Sequence, residues 1–293
     1  MDTVSTTGEL RRVVRDWRRQ DHRVAFVPTM GNLHAGHLQL VRHARASADR
    51  VVVSIFVNPT QFGPDEDYAA YPRTPDEDTR TLIDAGVDLL FTPAVEEIYP
   101  PDLAAAPYVE VPVIGNILCG EFRPGHFSGV ATVVAKLFSL VQPDVAVFGE
   151  KDYQQLVVIR RMTRALCLPV AIEGVETVRE ASGLAMSSRN RYLSDVERTT
   201  AATLYRVLCD VRAAVEGGAS DHAALEAVAV AQLKRAGFRP EYVSIRRAAD
   251  LAEPLPGDTR LRVLAAARLG QARLIDNIGI SISSAGNSPV GWW

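Results

Sequence analysis

The fold is decided by one stretch, Arg23-Val-Ala-Phe-Val-Pro-Thr-Met-Gly-Asn-Leu-His-Ala-Gly-His37. It opens with a short apolar run, residues 24–27, which predicts a buried strand. Pro28 has no backbone donor, so we expect the strand to end there. From Leu38 onward, apolar residues recur at helical spacing and predict a helix with one apolar side. The stretch therefore predicts a strand, a glycine-bearing loop and a helix in succession.

Two histidines, His34 and His37, stand where this loop becomes the helix. The first N–H groups of a helix lack intrahelical partners and lie at the positive end of its dipole, so phosphate binds readily there. Two imidazoles three residues apart can donate hydrogen bonds to the same phosphate. The His-x-Gly-His spacing is typical of nucleotidylyltransferases that act at the α-phosphate of ATP. A histidine pair at a helix start also occurs as surface decoration or as a core hydrogen bond, and the spacing leaves that alternative open.

Composition narrows the class of protein. The chain has 293 residues, 47% of them hydrophobic, with 32 basic and 35 acidic side chains. This near balance does not favour nucleic acid or a membrane surface as the main partner. Three widely spaced cysteines show neither zinc-site nor redox-motif spacing and fit a reducing compartment. With no apolar signal core or bilayer-length segment, we expect a soluble cytoplasmic protein.

Strands and helices alternate along the first part of the chain, which predicts a parallel sheet with right-handed crossovers. Helices are predicted over residues 7–20, 76–86, 130–141 and 153–166, and strands over residues 51–57, 87–92, 144–148 and 170–175. Ligands of such sheets bind beyond the carboxyl ends of the strands. We therefore expect three loops to converge: the histidine loop, Asn58-Pro-Thr-Gln61 and Gly149-Glu-Lys-Asp152.

The composition changes near Thr177, where we place a domain boundary. Ser194 and Glu197 have the spacing of a capping box and predict the start of a long helix over residues 195–216. A helix over 221–236 and strands over 241–246, 261–268 and 272–280 follow. These elements predict a smaller α+β domain, with residues 281–293 as a loosely held tail.

Several segments resemble those of the pantoate–β-alanine ligase (pantothenate synthetase) family. The signature segment is Pro28-Thr-Met-Gly-Asn-Leu-His-Ala-Gly-His37. The others follow in the family's order: Phe56-Val-Asn-Pro-Thr-Gln-Phe62, Tyr71-Pro-Arg-Thr74, Arg123-Pro-Gly-His-Phe127, Phe148-Gly-Glu-Lys-Asp-Tyr-Gln-Gln155 and Leu184-Ala-Met-Ser-Ser-Arg-Asn190. The match runs to about Leu193 and is looser beyond it, mainly at Arg268-Leu-Gly270 and Leu274-Ile-Asp-Asn277.

The resemblance implies a fold, an activity and an assembly. The fold is an α/β, Rossmann-like, doubly wound parallel sheet of the HxGH nucleotidylyltransferase type with a smaller C-terminal α+β domain. Residues 1–176 would bind nucleotide and pantoate, and residues 177–293 would form a lid domain. The activity is the ATP-dependent condensation of (R)-pantoate with β-alanine to pantothenate through a pantoyl adenylate. The assembly is a homodimer formed through the N-terminal domain.

The same resemblance implies an ATP site. Its residues are Met30, Gly31, Asn32, Leu33, His34, Ala35, Gly36, His37, Gly149, Glu150, Lys151, Asp152, Val178, Met186, Ser187, Ser188 and Arg189. Catalysis is expected from His34, His37, Lys151, Ser187, Ser188 and Arg189. His37 is the expected proton donor, and Lys151 is expected to stabilise charge at the α-phosphate. The segment from Met186 to Arg189 is similar to the mobile phosphate-binding loop of related class I synthetases.

The two smaller substrates have their own implied residues. Pantoate is expected to contact Met30, Gln61 and Gln155, and β-alanine to contact Gln61, Asn58, Tyr71 and Arg123. A glutamine amide both donates and accepts hydrogen bonds without adding charge beside the attacking carboxylate. Alternatively, these glutamines only cap loop backbone. Mg²⁺ is expected with the phosphates of ATP, and no protein ligand is assigned to it.

Two other functions remain as alternatives. One is a different HxGH nucleotidylyltransferase acting on another small acid or a phosphate ester. Gln61 and Gln155 argue against a phosphate substrate, because arginine or lysine would suit it better. The other is a non-catalytic nucleotide-binding module, against which the presence of both histidines and Lys151 argues.

Overall fold

The computed structural model describes residues 1–64, 66–101 and 107–282. The chain divides into two compact units. The first comprises Met1–Arg179 and Met186–Ser188, and the second comprises Glu180–Ala185 and the chain from Arg189 onward. Residues 186–188 group with the first unit, whereas sequence analysis placed them in the second, because the Met186 N–H donates to the Val178 carbonyl (2.9 Å). The predicted tail lies outside the described residues from residue 283 onward.

The first unit is built on a six-stranded sheet in which all neighbouring strands are parallel. The strands are β1 (Asp2–Val4), β2 (Val24–Thr29), β3 (Arg50–Ile55), β4 (Leu89–Phe91), β5 (Val145–Gly149) and β6 (Ala171–Val175), in the spatial order β1-β4-β3-β2-β5-β6. The predicted Rossmann-like sheet is confirmed. Sequence analysis missed β1, because a three-residue strand with two exposed side chains has no detectable periodicity.

Helices connect these strands. They are α1 (Thr7–Arg18), α2 (Ala35–Ser47), α3 (Pro75–Asp84), α4 (Val95–Ile98), α5 (Cys119–Phe122), α6 (His126–Val141) and α7 (Tyr153–Ala165). On one face of the sheet, Val27 and Val53 share a core with Val41 of α2 and Leu82 of α3. Helix α6 begins four residues before its predicted start, because Gly125 at φ +80° serves as its N-cap. Because the strands are parallel, their carboxyl ends lie along one edge of the sheet, and the loops of the expected site follow them there.

Strand β2 does not end at Pro28 as predicted. It continues to Thr29, and Pro28 lies opposite Ser54 in the pairing with β3. On its other side, β2 pairs with β5 only at Ala25 and Phe26. Because that ladder has already ended, the missing donor of Pro28 does not interrupt it.

The second unit has an antiparallel sheet covered by helices. Its strands are β7 (Arg239–Arg247), β8 (Arg260–Leu269) and β9 (Ala272–Ser281), and its helices are α8 (Asp195–Ala201), α9 (Thr203–Glu216) and α10 (His222–Arg235). The predicted capping box of Ser194 and Glu197 is confirmed. The predicted helix over 195–216 is divided at Ala202, although that residue keeps near-helical angles (φ −60°, ψ −20°). The smaller α+β domain is thus confirmed. Within the described ranges, no helix combines the length and apolar character needed to cross a bilayer.

Candidate active site

The two histidines at the start of α2 each have a defined hydrogen-bonding role. His34 is the N-cap, and its Nδ1 accepts from the Gly36 N–H (3.1 Å). The Nδ1 of His37 accepts from the His34 N–H (3.3 Å), which completes a capping box. Since each Nδ1 is an acceptor, each neutral ring carries its proton on Nε2. The ring centroids are 4.1 Å apart, so the loop holds two adjacent Nε2–H donors.

His37 is held in the neutral form. Its pKa is lowered from 6.5 to about 3, first by burial and then by the neighbouring His34; Asp152 opposes this effect and Lys151 adds to it. At neutral pH, His37 is therefore a hydrogen-bond donor and not a cation. The influence of Lys151 and Asp152 also shows that the loop after β5 lies near the histidine pair. A bound triphosphate would favour the imidazolium and raise this pKa.

At two positions of the histidine loop, neighbouring atoms lie so close that only glycine fits without strain. A Cβ on Gly36 would lie 2.8 Å from Cε1 and 2.9 Å from Nδ1 of His34. Gly31 has φ +80°, and a Cβ there would lie 3.0 Å from both Asp78 and Ile55. A side chain at Gly36 would therefore displace the capping histidine, and one at Gly31 would be strained in addition.

Asp78 of α3 fixes the same loop, and sequence analysis did not identify it. Its Oδ2 accepts from the Asn32 N–H and its Oδ1 from the Leu33 N–H, each at 2.8 Å. Its side chain is buried, and Asn32 is held at φ +50° in the left-handed region. In the sequence, Asp78 is one of three acidic residues that suit any helix start, and only its burial distinguishes it.

Asp78→Asn is expected to raise the KM for ATP about tenfold, because an amide can accept only one of the two N–H groups and directs its own N–H at the other. The KM for pantoate should change less. Asp76→Asn is the matched control, since Asp76 lies exposed in the same helical turn. Steady-state kinetics of both variants would show the difference. An unchanged KM for ATP in folded Asp78→Asn would contradict this role.

The loop after β3 is joined to the histidine loop through Gln61. The buried Asn58 donates from Nδ2 to Oε1 of Gln61 (3.1 Å) and to the Gly129 carbonyl (3.2 Å). Gln61 in turn donates from Nε2 to the sulfur of Met30 (2.9 Å). The structure thus brings together Met30, Asn58 and Gln61, which the resemblance assigned to pantoate and β-alanine.

Two hydroxyl groups fix the orientation of the Asn58 amide. Its Oδ1 accepts from the Tyr99 hydroxyl and from the Thr60 hydroxyl, each at 2.9 Å. With that oxygen occupied, Nδ2 must face Gln61. The Asn58 side chain therefore serves to orient Gln61, and its direct contact with β-alanine stays a prediction.

The first turn of α7 carries two adjacent glutamines with different roles. The buried Gln154 donates from Nε2 to the carbonyls of Ile114 (2.8 Å) and Ile117 (2.7 Å), and accepts from the Cys119 N–H (3.1 Å). The half-buried Gln155 has no side-chain hydrogen bond to any residue that the structure describes. Of the pair, only Gln155 keeps its amide for a ligand.

Most of the other residues that the resemblance assigns to ATP lie on two segments. Gly149 ends β5, and Glu150–Asp152 forms a single 3₁₀ turn in which the Lys151 ammonium lies 3.8 Å from Oδ1 of Asp152. In the Met186–Ser188 segment, the Ser188 hydroxyl donates to the Asn32 carbonyl (3.3 Å). Ser188 therefore contacts the histidine loop, while Arg189 belongs to the second unit and its expected role stays a prediction.

Arg123 and Tyr71, the other expected β-alanine residues, are engaged within the protein. Arg123 forms a double hydrogen bond with the Glu66 carboxylate, at 2.6 Å for each N–O pair. Tyr71 is buried, with its ring edge-on to Phe62 at 5.9 Å between centroids. Sequence analysis did not assign Glu66 to the site, because a single acidic residue in a polar loop is ordinarily solvated.

Comparison with known proteins identifies the family. A family model described as Pantoate-beta-alanine ligase matches residues 2–279. The chain belongs to the pantoate–β-alanine ligase family. The ligase of Methylococcus capsulatus, named pantothenate synthetase, is 57% identical over 284 residues, covering 97% of this chain and 99% of the relative. The pantothenate synthetase of Azotobacter vinelandii is 54% identical over 283 residues, covering 97% and 100%.

Solved structures of the family align with nearly all of this chain. Pantothenate synthetase from Thermus thermophilus aligns with a TM-score of 0.87 at 49% identity, covering 95% of this chain and 99% of that one. Pantoate-beta-alanine ligase from Francisella tularensis, complexed with beta-gamma ATP and beta-alanine, aligns with a TM-score of 0.80 at 33% identity, covering 95% and 97%. The family inferred from the motifs is confirmed.

Proposed function

We propose that this ligase condenses (R)-pantoate with β-alanine to form pantothenate, converting ATP to AMP and pyrophosphate. The observation that carries the proposal is the pair of Nε2–H donors of His34 and His37, close to Lys151, in a chain of this family. Neutral donors and one cation suit a site where negative charge develops at phosphorus.

In the first step, an oxygen of the pantoate carboxylate attacks the α-phosphorus of ATP. The bond from that phosphorus to the bridging oxygen breaks, and pyrophosphate leaves. His34 and His37 donate to phosphate oxygens at the start of α2, where the free N–H groups of the helix also favour negative charge. Lys151 stabilises the charge that develops at the α-phosphate. Asp78 holds the backbone of the loop in position for these contacts.

In the second step, the amine of β-alanine attacks the acyl carbon of the pantoyl adenylate. The acyl–oxygen bond breaks, and AMP leaves. Gln61 and Gln155 hold pantoate, and Arg123 binds the β-alanine carboxylate. Gln61 is already oriented by Asn58, so this part of the site is organised before the substrate arrives.

Mg²⁺ would enter as the MgATP complex, held through phosphate oxygens and water as this ion prefers. The described residues contain no group of three or more His, Cys, Asp or Glu side chains arranged to hold a metal ion. Both oxygens of the buried Asp78 are already committed to backbone N–H groups. The donor set therefore fits an ion carried by the nucleotide.

We further propose a cytoplasmic homodimer, which rests on the resemblance alone; size-exclusion chromatography with light scattering would test the assembly. The alternatives of another acid substrate or a non-catalytic module are not favoured, given the identity to ligases over nearly the full chain.

Adenylation is expected to proceed without β-alanine. With pantoate alone, labelled pyrophosphate should exchange into ATP, because it can attack the pantoyl adenylate and re-form ATP and free pantoate. In the full reaction, ¹⁸O from the pantoate carboxylate should appear in AMP, as mass spectrometry would show. Label in inorganic phosphate would instead indicate an acyl phosphate and rule out the adenylate.

Gln155→Leu is expected to lower kcat/KM for pantoate by at least about tenfold, since a substrate hydroxyl would be left unpaired. ATP binding should change little. The variant should also narrow the ratio of kcat/KM between pantoate and an analogue lacking one hydroxyl.

Gln154→Leu is the comparison for this variant. It removes the same amide one position earlier, and it should lower the free energy of unfolding by about 1–3 kcal/mol while leaving the substrate ratio unchanged. If Gln155→Leu left the ratio at its wild-type value, Gln155 would lie outside the pantoate pocket.

A further inference from the structure

The carboxylate-binding edge of Arg123 is already occupied by a carboxylate of the protein. Nε and Nη2 of Arg123 each lie 2.6 Å from one oxygen of Glu66. This two-point geometry is the one a free carboxylate adopts on a guanidinium. Only 15% of the Arg123 side chain and 25% of the Glu66 side chain are exposed, so the pair is largely shielded from water. A substrate carboxylate on that edge requires Glu66 to leave.

The opposite edge of Arg123 is fixed by His126. Nδ1 of His126 lies 2.8 Å from the Gln61 carbonyl, so this nitrogen must carry the proton and donate. Nε2 is then an acceptor, and it lies 3.0 Å from Nη1 of Arg123. Burial, with the charge of Arg123, lowers the pKa of His126 from 6.5 to about 4, which preserves this neutral form. The guanidinium is thus tied to the loop that carries Gln61.

Glu66, in contrast, is held by a short turn. Its N–H donates to the Gly63 carbonyl (3.1 Å), and its carbonyl accepts from the Tyr68 N–H (3.0 Å). Arg123 is the C-cap of α5 and lies two residues before Gly125, the N-cap of α6, and α6 has many buried residues. When the pair separates, Glu66 is therefore the partner that moves.

We propose that Glu66 is a specificity-determining residue that occupies the amino-acid carboxylate subsite on Arg123 and is displaced by the β-alanine carboxylate. The exchange replaces one carboxylate with another and leaves the charge on that edge of Arg123 unchanged. The affinity for β-alanine then depends on how much more strongly Arg123 binds the β-alanine carboxylate than it binds the carboxylate of Glu66. An amine without a carboxylate gains nothing from displacing Glu66.

The internal carboxylate stays charged at working pH. Burial acts to raise the pKa of Glu66, but the hydrogen bond and charge of Arg123 outweigh it and hold the pKa below its usual value. At neutral pH the Glu66 carboxylate is thus available to compete with the β-alanine carboxylate for Arg123. This inference rests on the proposed function, in which Arg123 receives the β-alanine carboxylate.

The experiment compares Glu66→Gln with wild type, using two acceptors: β-alanine and propylamine, which lacks the carboxylate. Pantoate-dependent pyrophosphate exchange is measured in parallel. Glu121→Gln, which removes an exposed charge two residues before Arg123, is the matched control. Glu66→Asp is a second variant, whose shorter side chain keeps the charge but loses reach.

We expect Glu66→Gln to lower the KM for β-alanine about fivefold, at the upper end of what a partly exposed ion pair contributes. The preference for β-alanine over propylamine should rise by the same factor, with pyrophosphate exchange unchanged. Glu66→Asp should shift in the same direction by less, and Glu121→Gln should change neither value.

A raised or unchanged KM for β-alanine, with the same acceptor preference as wild type, would overturn the proposal and leave Glu66 as a support for Arg123. Failure of the proposed function is distinguishable, because wild type itself would then show neither exchange nor pantothenate. Exchange at the wild-type rate also verifies that each variant is folded.

Discussion

His37→Asn is expected to lower turnover about 10²–10³-fold while the fold stays intact, because it removes one preorganised donor to a developing charge. The asparagine oxygen lies roughly where Nδ1 lies, so it can still accept from the His34 N–H that His37 now binds (3.3 Å). Nothing replaces the Nε2–H. Single-turnover kinetics of adenylate formation would measure the loss directly.

His37→Gln is the matched comparison, since its longer side chain can bring an amide N–H toward the Nε2 position. It should retain more activity than His37→Asn. Because the pKa of His37 is lowered to about 3, its ionisation should not appear in the pH profile of kcat/KM for ATP at neutral or mildly acidic pH. Near-wild-type turnover in folded His37→Asn would show that the donor is dispensable.

Lys151→Met is expected to lower turnover by a similar factor of about 10²–10³, since it keeps the length of the side chain and removes its charge. The Lys151 side chain is only 20% exposed, and its ammonium lies 3.8 Å from Asp152. A cation so placed is weakly screened and can act on the α-phosphate. The loss should be larger in kcat than in the KM for ATP if the charge acts mainly on the transition state.

Lys234→Met is the control for this variant, because Lys234 is an exposed lysine in the last turn of α10. It should leave turnover and both KM values unchanged. Thermal unfolding of each variant would separate a loss of catalysis from a loss of structure. If Lys151→Met raised only the KM for ATP, Lys151 would act in binding and not in the chemical step.

The sheet was predictable because its central strands are short apolar runs. Strands β2, β3 and β5 are buried almost throughout, and such runs bounded by turn residues identify themselves in the sequence. The edge strand β1 was missed, since its three residues have no such pattern. The strand end predicted at Pro28 was wrong. A proline interrupts a strand only where a neighbouring strand needs its backbone N–H, and β5 no longer pairs with β2 at Pro28.

The sequence predicted which loops form the site, but not every residue that holds those loops in place. The positions of His34 and His37 at the start of α2 followed from their spacing and from the helix that comes next. Asp78 was not predictable, because an acid in the first turn of a helix is ordinary there. Glu66 was missed for a similar reason, since a loop carboxylate has no sequence feature that reveals its partner.

By itself, the sequence determined the alternation of strands and helices, the start of α8, and the family. These features depend on residues close in the chain, through periodicity and capping. Only the tertiary structure decided that Asp78 holds Asn32, 46 positions away, and that Glu66 holds Arg123, 57 positions away. It also decided that the buried Gln154 binds backbone carbonyls, whereas the side chain of Gln155 makes no hydrogen bond to the described residues. Contacts between residues so far apart depend on how the loops pack, and no local pattern of residues encodes them.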